Sequence, residues 1–299
     1  MLQDALSDAL ARVRPAHCLS AGLRAGGDWS LRFDAPDGIK FNAVLSGSAW
    51  LWVDGGTPIR LAEGDCFLLT ERRPFHLASA PDLPAESAEP IYAAATEGVA
   101  TCGTGEDFFL IGGRFAFDAD FARLVFDPLP AIVKVSTGEA EASVLRWALL
   151  ELKRELAARA LGGALMTDTL GQIMLLQTLR LHARAETARG LVHALADARI
   201  GRAVNLVHRD PSARWTLGRL AAEAGMSRST FAARFHDLLG QPPAAYLRRW
   251  RMVLARQMLR GGDLTLDEIA GRLGYGSASA FGIAFAREVG VSPGRWRSE

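Results

Sequence analysis

At 299 residues the chain is long enough for two domains, each with its own core. Its 49% hydrophobic and 22% charged residues are an ordinary globular balance, and no apolar run reaches the ~18 residues of a membrane-spanning helix. The net charge of +1 conceals a division. Residues 197–299 carry 16 Arg and no Lys against 9 Asp and Glu, a net of +7, while residues 1–196 carry 18 Lys and Arg against 24 Asp and Glu, a net of −6. A basic back half behind an acidic front half is the footprint expected of a nucleic-acid-binding tail.

In chain order, MLQDALSDALARVRP is amphipathic and mixed in charge, unlike a secretory signal, so a cytoplasmic protein is expected. From Gly27 to about Phe117, short runs alternate with turn punctuation. WSLRF, FNAVLSG, AWLWV, PIRLAEG, CFLLT, FHLAS, IYAAAT and FFLIGGRFAF are separated by APDG, DGGT, ERRP and PDLP. Short strands at regular spacing predict a β-sandwich or barrel. The segment from Asp82 to Glu89 reads as a mobile loop.

From about Glu139 to Ala188 the period becomes helical. VLRWALLELKRELAARALGG and MTDTLGQIMLLQTLRLHARAE predict two amphipathic helices meeting at Gly162–Gly163. Leu170, Ile173, Met174, Leu176 and Leu179 are apolar enough to dimerise. The alternative is that these helices cap their own β-domain. Residues Ala185 to Asp197 read as the interdomain connection.

The last hundred residues contain one helical unit twice. Ala221 and Gly225 recur as Ala270 and Gly274, Phe231 and Phe235 as Phe281 and Phe285, and Gly240, Pro243 and Tyr246 as Gly290, Pro293 and Trp296. From the first Phe onward the intervals are identical, and the second turn is one residue longer. In each copy a glycine ends one helix, a serine (Ser227, Ser277) stands where the next needs an N-cap, and two Phe at i, i+4 form an inward stripe. The opposite face is small or basic: Arg228, Ser229, Ala232 and Ala233 in the first copy, Ala278, Ser279, Gly282 and Ile283 in the second. Two helices around a tight turn, the second with a slim exposed face, suit entry into a major groove. Between the copies, residues 244–260 predict one helix carrying Arg248, Arg249, Arg251, Arg256 and Arg260, available to phosphates. A helical bundle whose repeat is only structural is the competing reading, and the +7 charge weighs against it.

At AGMSRSTFAARF, GQPPAAYLRRWRM, LDEIAGRLGY and GVSPGRWR the chain strongly resembles the AraC/XylS family of bacterial transcription regulators, over about Ile200 to Arg297. WSLRF, FNAVLSGSAWLWVDG, LAEGDCFLLTERRPFHL and TCGTGEDFFLIGGRFAF make it similar to the subgroup with a cupin-like front domain. The resemblance implies an N-terminal β-barrel, cupin-like domain flanked by helices, then an all-α DNA-binding domain with two helix-turn-helix units. The expected boundaries are 1–138 for the sensor domain, 139–196 for linker or dimerisation helices and 197–299 for the DNA-binding domain. It implies base-reading positions at Ser229, Ala232 and Ala233 in the first copy and at Ala278, Ser279 and Ile283 in the second. Ser227, Arg228, Arg234, Ser277 and Arg287 complete the expected DNA-contacting set. Where the family often has Arg, this chain has Ile283, which removes a bidentate guanine reader and leaves apolar contact, for instance with a thymine methyl.

The expected function is a sequence-specific DNA-binding transcription regulator, read as an activator although the sequence does not separate activation from repression, and modulated by a small-molecule effector; a regulator with no effector, responsive only to its own abundance, is a further reading. Its partners would be double-stranded promoter DNA, the effector, a second copy in a homodimer, and RNA polymerase, with no membrane. Arg32, Trp50, Trp52, Phe75 and His76 are candidate effector-lining residues, although strand alternation turns about half of any such set outward. Members of this cupin subgroup often have His where Asn42 stands, and His76 with a distant His17 is too sparse a ligand set, so no metal, cofactor or catalytic residue is expected. Cys18, Cys66 and Cys102 read as small buried hydrophobes, with a weaker option that Cys66, His76 and Cys102 converge as a soft-metal or redox sensor. The competing class is a cupin-type metal-dependent enzyme with a helical partner-binding tail.

Overall fold

The computed structural model describes residues 6–7, 21–115, 117, 119–138, 142–158, 160–185 and 189–298, so His17 and Cys18 lie outside the described residues. The chain divides into two compact units. One comprises the described residues of Ala11–Ala122 and Leu129–Ala188; the other gathers Arg189–Glu299 with Arg123–Pro128 and the N-terminal residues.

The front unit holds eleven described strands in two sheets. In chain order they are β1 (Ala21–Gly26), β2 (Ser30–Phe33), β3 (Ile39–Ser46), β4 (Ser48–Val53), β5 (Ile59–Ala62), β6 (Asp65–Leu69), β7 (Phe75–Ala78), β8 (Glu86–Ser87), β9 (Val99–Gly103), β10 (Phe108–Phe115) and β11 (Ile132–Ser136). The six-stranded sheet runs β11-β6-β3-β10-β1-β9 and the five-stranded one β5-β4-β7-β2-β8. Leu23, Val44, Phe67, Phe108 and Leu110 of the first sheet share one core with Leu31, Phe33, Leu51, Leu61, Phe75 and Leu77 of the second. The unit is therefore two sheets around a common core rather than one closed barrel.

Several expectations need correction. IYAAAT is not a strand: Ala88–Ala93 form a short helix, α1, because Ser87 caps the Glu89 amide and alanine favours helix over strand. The loop expected at 82–89 contains β8, which pairs in parallel with β2. Strands β1 and β11 lie outside the runs singled out in the sequence. AGLRAG has no β-branched residue, and β1 is a strand because β10 and β9 pair with it on both sides.

Helices α2 (Ala119–Phe126), α3 (Ser143–Ala158) and α4 (Gly163–His182) follow. Gly162, at φ 80°, makes the turn between α3 and α4 that the glycine pair predicted. The hairpin covers the six-stranded sheet through contacts of α3 with β3 and α4 with β11, which is why β3 and β6 are buried nearly throughout. Of the five apolar residues expected to dimerise, Leu170, Met174 and Leu179 are buried in the chain, and Ile173 and Leu176 are partly buried.

The back unit continues with α5 (Leu191–Ala196), α6 (Ile200–Arg209), α7 (Leu217–Glu223), α8 (Arg228–Leu239), α9 (Pro243–Gly261), α10 (Leu266–Arg272), α11 (Ala278–Val289) and α12 (Pro293–Ser298). Helix α5 lies where a plain connection was expected. Helix α9 is 19 residues long, about 28 Å at ~1.5 Å per residue.

Candidate nucleic-acid interface

The repeat seen in the sequence is a repeat of contacts. Thr216 and Thr265 cap α7 and α10 by accepting the amides of Arg219 and Glu268. Gly225 (φ 62°) and Gly274 (φ 75°) turn the chain, and Ser227 and Ser277 cap α8 and α11 by accepting from the amides of Thr230 and Ala280. Each second helix ends at a left-handed glycine, Gly240 or Gly290. The Thr caps escaped the sequence reading, although Thr216–Ser227 and Thr265–Ser277 show the same one-residue offset as the turn.

The inward stripes also match. Phe231 and Phe235 have ring centroids 5.5 Å apart, and Phe281 and Phe285 5.7 Å. Phe235 meets Tyr246 edge-on at 5.7 Å, and Phe285 meets the equivalent Trp296 edge-on at 6.3 Å. All four Phe are buried. Behind the first copy, His208 stacks on Trp250 at 4.0 Å with its Nε2 2.6 Å from the Tyr246 hydroxyl.

On the outward side, Ser227, Arg228, Ser229 and Ala233 are exposed and Ala232 half-buried; Ser277, Ser279 and Arg287 are exposed and Ala278 half-buried. Ile283 is 71% exposed, an unusual place for so large an apolar side chain. The Arg228 guanidinium lies over Gly218, where a Cβ would come within 2.9 Å of its Nε. Arg234 is less free than expected: its Nε and Nη2 reach Asp197 Oδ2 at 2.8 and 2.5 Å. Asp197 also accepts from the Arg199 and Ile200 amides at the start of α6.

The arginines of α9 need a larger correction. Arg256 and Arg260 lie over the Trp296 ring at 5.1 and 5.5 Å. Arg248 pairs with Glu288 at 3.5 Å and Arg249 with Asp127 at 3.6 Å. Arg251 donates to the carbonyls of Pro211 and Ala213. Every one of the five has a partner inside the fold, because a helix buried on most sides brings its long side chains onto its neighbours.

A helix-turn-helix model matches residues 220–299, and a cupin model matches residues 4–184. Over 297 residues the chain is 46% identical to an AraC-like transcription regulator of Streptomyces lividans, covering 98% of each chain. It is 42% identical to another from Streptomyces antibioticus over the same coverage. The solved DNA-binding domain of the global transcriptional factor AdpA, in complex with a target DNA, is 35% identical at a TM-score of 0.32, covering 33% of this chain and 88% of that one. The chain belongs to the AraC family of transcription regulators.

This AraC-family regulator is a DNA-binding transcription factor with a cupin-like front domain. In that domain the five expected lining residues do not share a cavity. Phe75 points into the core and stacks on Phe33 at 4.5 Å. Trp50, Trp52, His76 and Arg32 lie on the opposite face of the five-stranded sheet, alternating with the core residues Leu51, Leu31 and Leu77. There Trp52 stacks on His76 at 4.8 Å, and Asp54 bridges His76 Nε2 (2.8 Å) and Arg32 Nη2 (3.2 Å). The hydrogen bond to His76, aided by Arg32, holds the Asp54 carboxyl below its ordinary pKa.

A large cavity lies elsewhere among the described residues. About 1040 Å³ opens between the outer face of β1, β9 and β10 and the α3–α4 hairpin. Val99, Phe109 and Ile111 line it from the sheet and Leu156 from α3, and Arg24 and Lys153 stand among its polar groups. Small residues on both sides, Gly22 facing Ala157, Ala160, Gly163 and Ala164, leave the gap. The sequence reading missed it because it depends on how a helical hairpin lies on a sheet.

Cys66, His76 and Cys102 occupy β6, β7 and β9, and among the described residues no three His, Cys, Asp or Glu side chains come together as metal ligands. Burial pushes both thiols above their ordinary pKa, with Asp65 adding to the effect at Cys66 and Glu86 at Cys102. The convergent-sensor expectation therefore has no geometric support. No described helix is long and apolar enough to cross a membrane.

Proposed function

We propose that the regulator reads double-stranded promoter DNA with α8 and α11, each entering a major groove by its outward face. The observation that carries this reading is the paired exposure of small residues over buried Phe stripes. Ser229, Ala232 and Ala233 on one helix, and Ala278, Ser279 and Ile283 on the other, let the backbone approach base edges closely. Ser227, Arg228, Ser277 and Arg287 flank them toward phosphate. With Ile283 in a reading position, apolar contact and DNA shape supply more of the specificity than hydrogen bonds do. Footprinting the full-length chain on the DNA upstream of its own gene, at several salt concentrations, tests this. Two protected major-groove patches about one turn apart are expected; protection that requires a guanine under α11 would overturn the Ile283 assignment.

The front domain is proposed to hold a small-molecule effector in the cavity beneath the α3–α4 hairpin, whose size suits such a ligand. Filling it with Leu156→Trp should remove effector-dependent changes in DNA binding while leaving basal binding intact; an unchanged response would place the effector elsewhere. In this reading the protein works in the cytoplasm, acts on RNA polymerase, and pairs as a homodimer. The pairing surface is the exposed set Val144, Trp147 and Leu150 on α3, not the buried residues of α4. Sedimentation of the wild type against Trp147→Glu checks it: an equal mass for both would remove this surface from consideration.

A further inference from the structure

One side chain of α9 joins the two helix-turn-helix units. Arg251 donates from Nε to the Pro211 carbonyl at 2.8 Å and from Nη2 to the Ala213 carbonyl at 3.2 Å, both in the loop that leads into α7. Its guanidinium also lies over the ring of Tyr275, 5.6 Å from the centroid, in the turn of the second unit. Tyr275 packs in turn on Phe281 of α11 at 5.7 Å. Both ends of this bridge are stiff. Asp210 Oδ1 accepts from the Ser212 amide, the Ser212 hydroxyl and the Ala213 amide, and the Trp215 indole donates to the Asp210 carbonyl. On the other side, Gly274 has φ 75°, and a Cβ there would overlap the Ser212 carbonyl oxygen and come within 2.9 Å of Arg251 Nη2. The loop of one unit and the turn of the other thus touch backbone to backbone, with Arg251 filling the joint.

We infer that Arg251 is a positioning residue that fixes the placement of α11 relative to α8, and so sets the spacing between the two DNA boxes that the regulator accepts. The physical reason lies in the geometry of the duplex. One inserted base pair moves the second box by about 3.4 Å and turns it by about 35°. A rigid pair of helices cannot follow such a change; a loosened pair can. A planar guanidinium with two acceptors in its fork and a ring against it holds one geometry, which an ammonium does not reproduce. The inference rests on the reading that both helices lie on DNA.

The test uses full-length protein and duplexes selected from a random pool by the wild type, then lengthened or shortened by one, two and three base pairs between the boxes. The wild type should lose at least about tenfold in affinity per step away from its optimum. Arg251→Lys and Gly274→Ala should each flatten that profile to within about threefold while keeping affinity for either box alone. If one variant does not fold, by circular dichroism and thermal unfolding, the other decides. A wild-type profile retained in a folded variant would overturn the inference alone. A wild type indifferent to spacing would overturn the two-helix reading, and the inference with it.

Discussion

Four phenylalanines anchor α8 and α11 in the back unit, and each is close to fully buried. Phe235→Ala and Phe285→Ala should each destabilise the back unit by about 3–5 kcal/mol through lost burial and the cavity left behind. Chemical denaturation of the two variants checks this, and two silent substitutions would mean that the facing of α8 and α11 is misassigned. Asp197 gives a second residue-scale test. Burial by itself would raise its carboxyl pKa, but hydrogen bonds from the Ile200 amide, the Arg234 guanidinium and the Arg199 amide outweigh that and lower it. A depressed carboxyl contributes stability above the unfolded pKa of about 3.9, and that contribution disappears as pH falls through the folded value. Stability of the back unit should therefore fall on acidification below about pH 5, and Asp197→Asn should remove that component of the slope. An unchanged slope would mean that Arg234 and the α6 amides do not hold Asp197 in solution, freeing Arg234 for DNA.

At the scale of elements, the two copies share a plan and differ in their turns. Ser227→Ala and Ser277→Ala each remove one N-cap and should cost about 1 kcal/mol. The glycines part company. A Cβ at Gly225 meets nothing within 4 Å, so Gly225→Ala should cost only the left-handed strain, about 1–2 kcal/mol. At Gly274 the same strain is joined by overlap with the Ser212 carbonyl, so Gly274→Ala should cost clearly more. Equal thermal shifts for the two glycine variants would show that the joint between the units is open in solution. The longer second turn accommodates this joint: it is the turn that carries Tyr275 onto Arg251.

For the whole molecule, the +7 of residues 197–299 favours DNA, yet the fold spends much of that charge internally. Arg256 and Arg260 sit on Trp296, whereas Arg228 is exposed at the start of α8. Arg228→Ala should weaken binding across all sequences and reduce the slope of log affinity against log salt by about 1. Arg260→Ala should leave that slope unchanged and lower stability instead. Titrations at four salt concentrations separate these outcomes; a reduced slope for Arg260→Ala would return α9 to the phosphate-contacting surface.

The sequence by itself determined the back half, because that half is built from local signals. Gly225, Ser227 and the Phe pair act within a few residues of one another, and they recur 49 residues on for the glycine and 50 for the serine and the phenylalanines, so turn, cap and facing were all legible. The front half rests on pairing between distant segments. AGLRAG becomes a strand between β10 and β9, and the first three residues of IYAAAT, with strand-like apolar spacing, end a helix that Ser87 caps. Tertiary structure alone decided which face of β4 and β7 meets the core, since alternation fixes that Trp50 and Trp52 share a side but not which side is inward. It also decided the fate of the α9 arginines and the cavity under the α3–α4 hairpin. Charge and small size can be read residue by residue, whereas a partner or an empty volume exists only once two separated surfaces have been brought together.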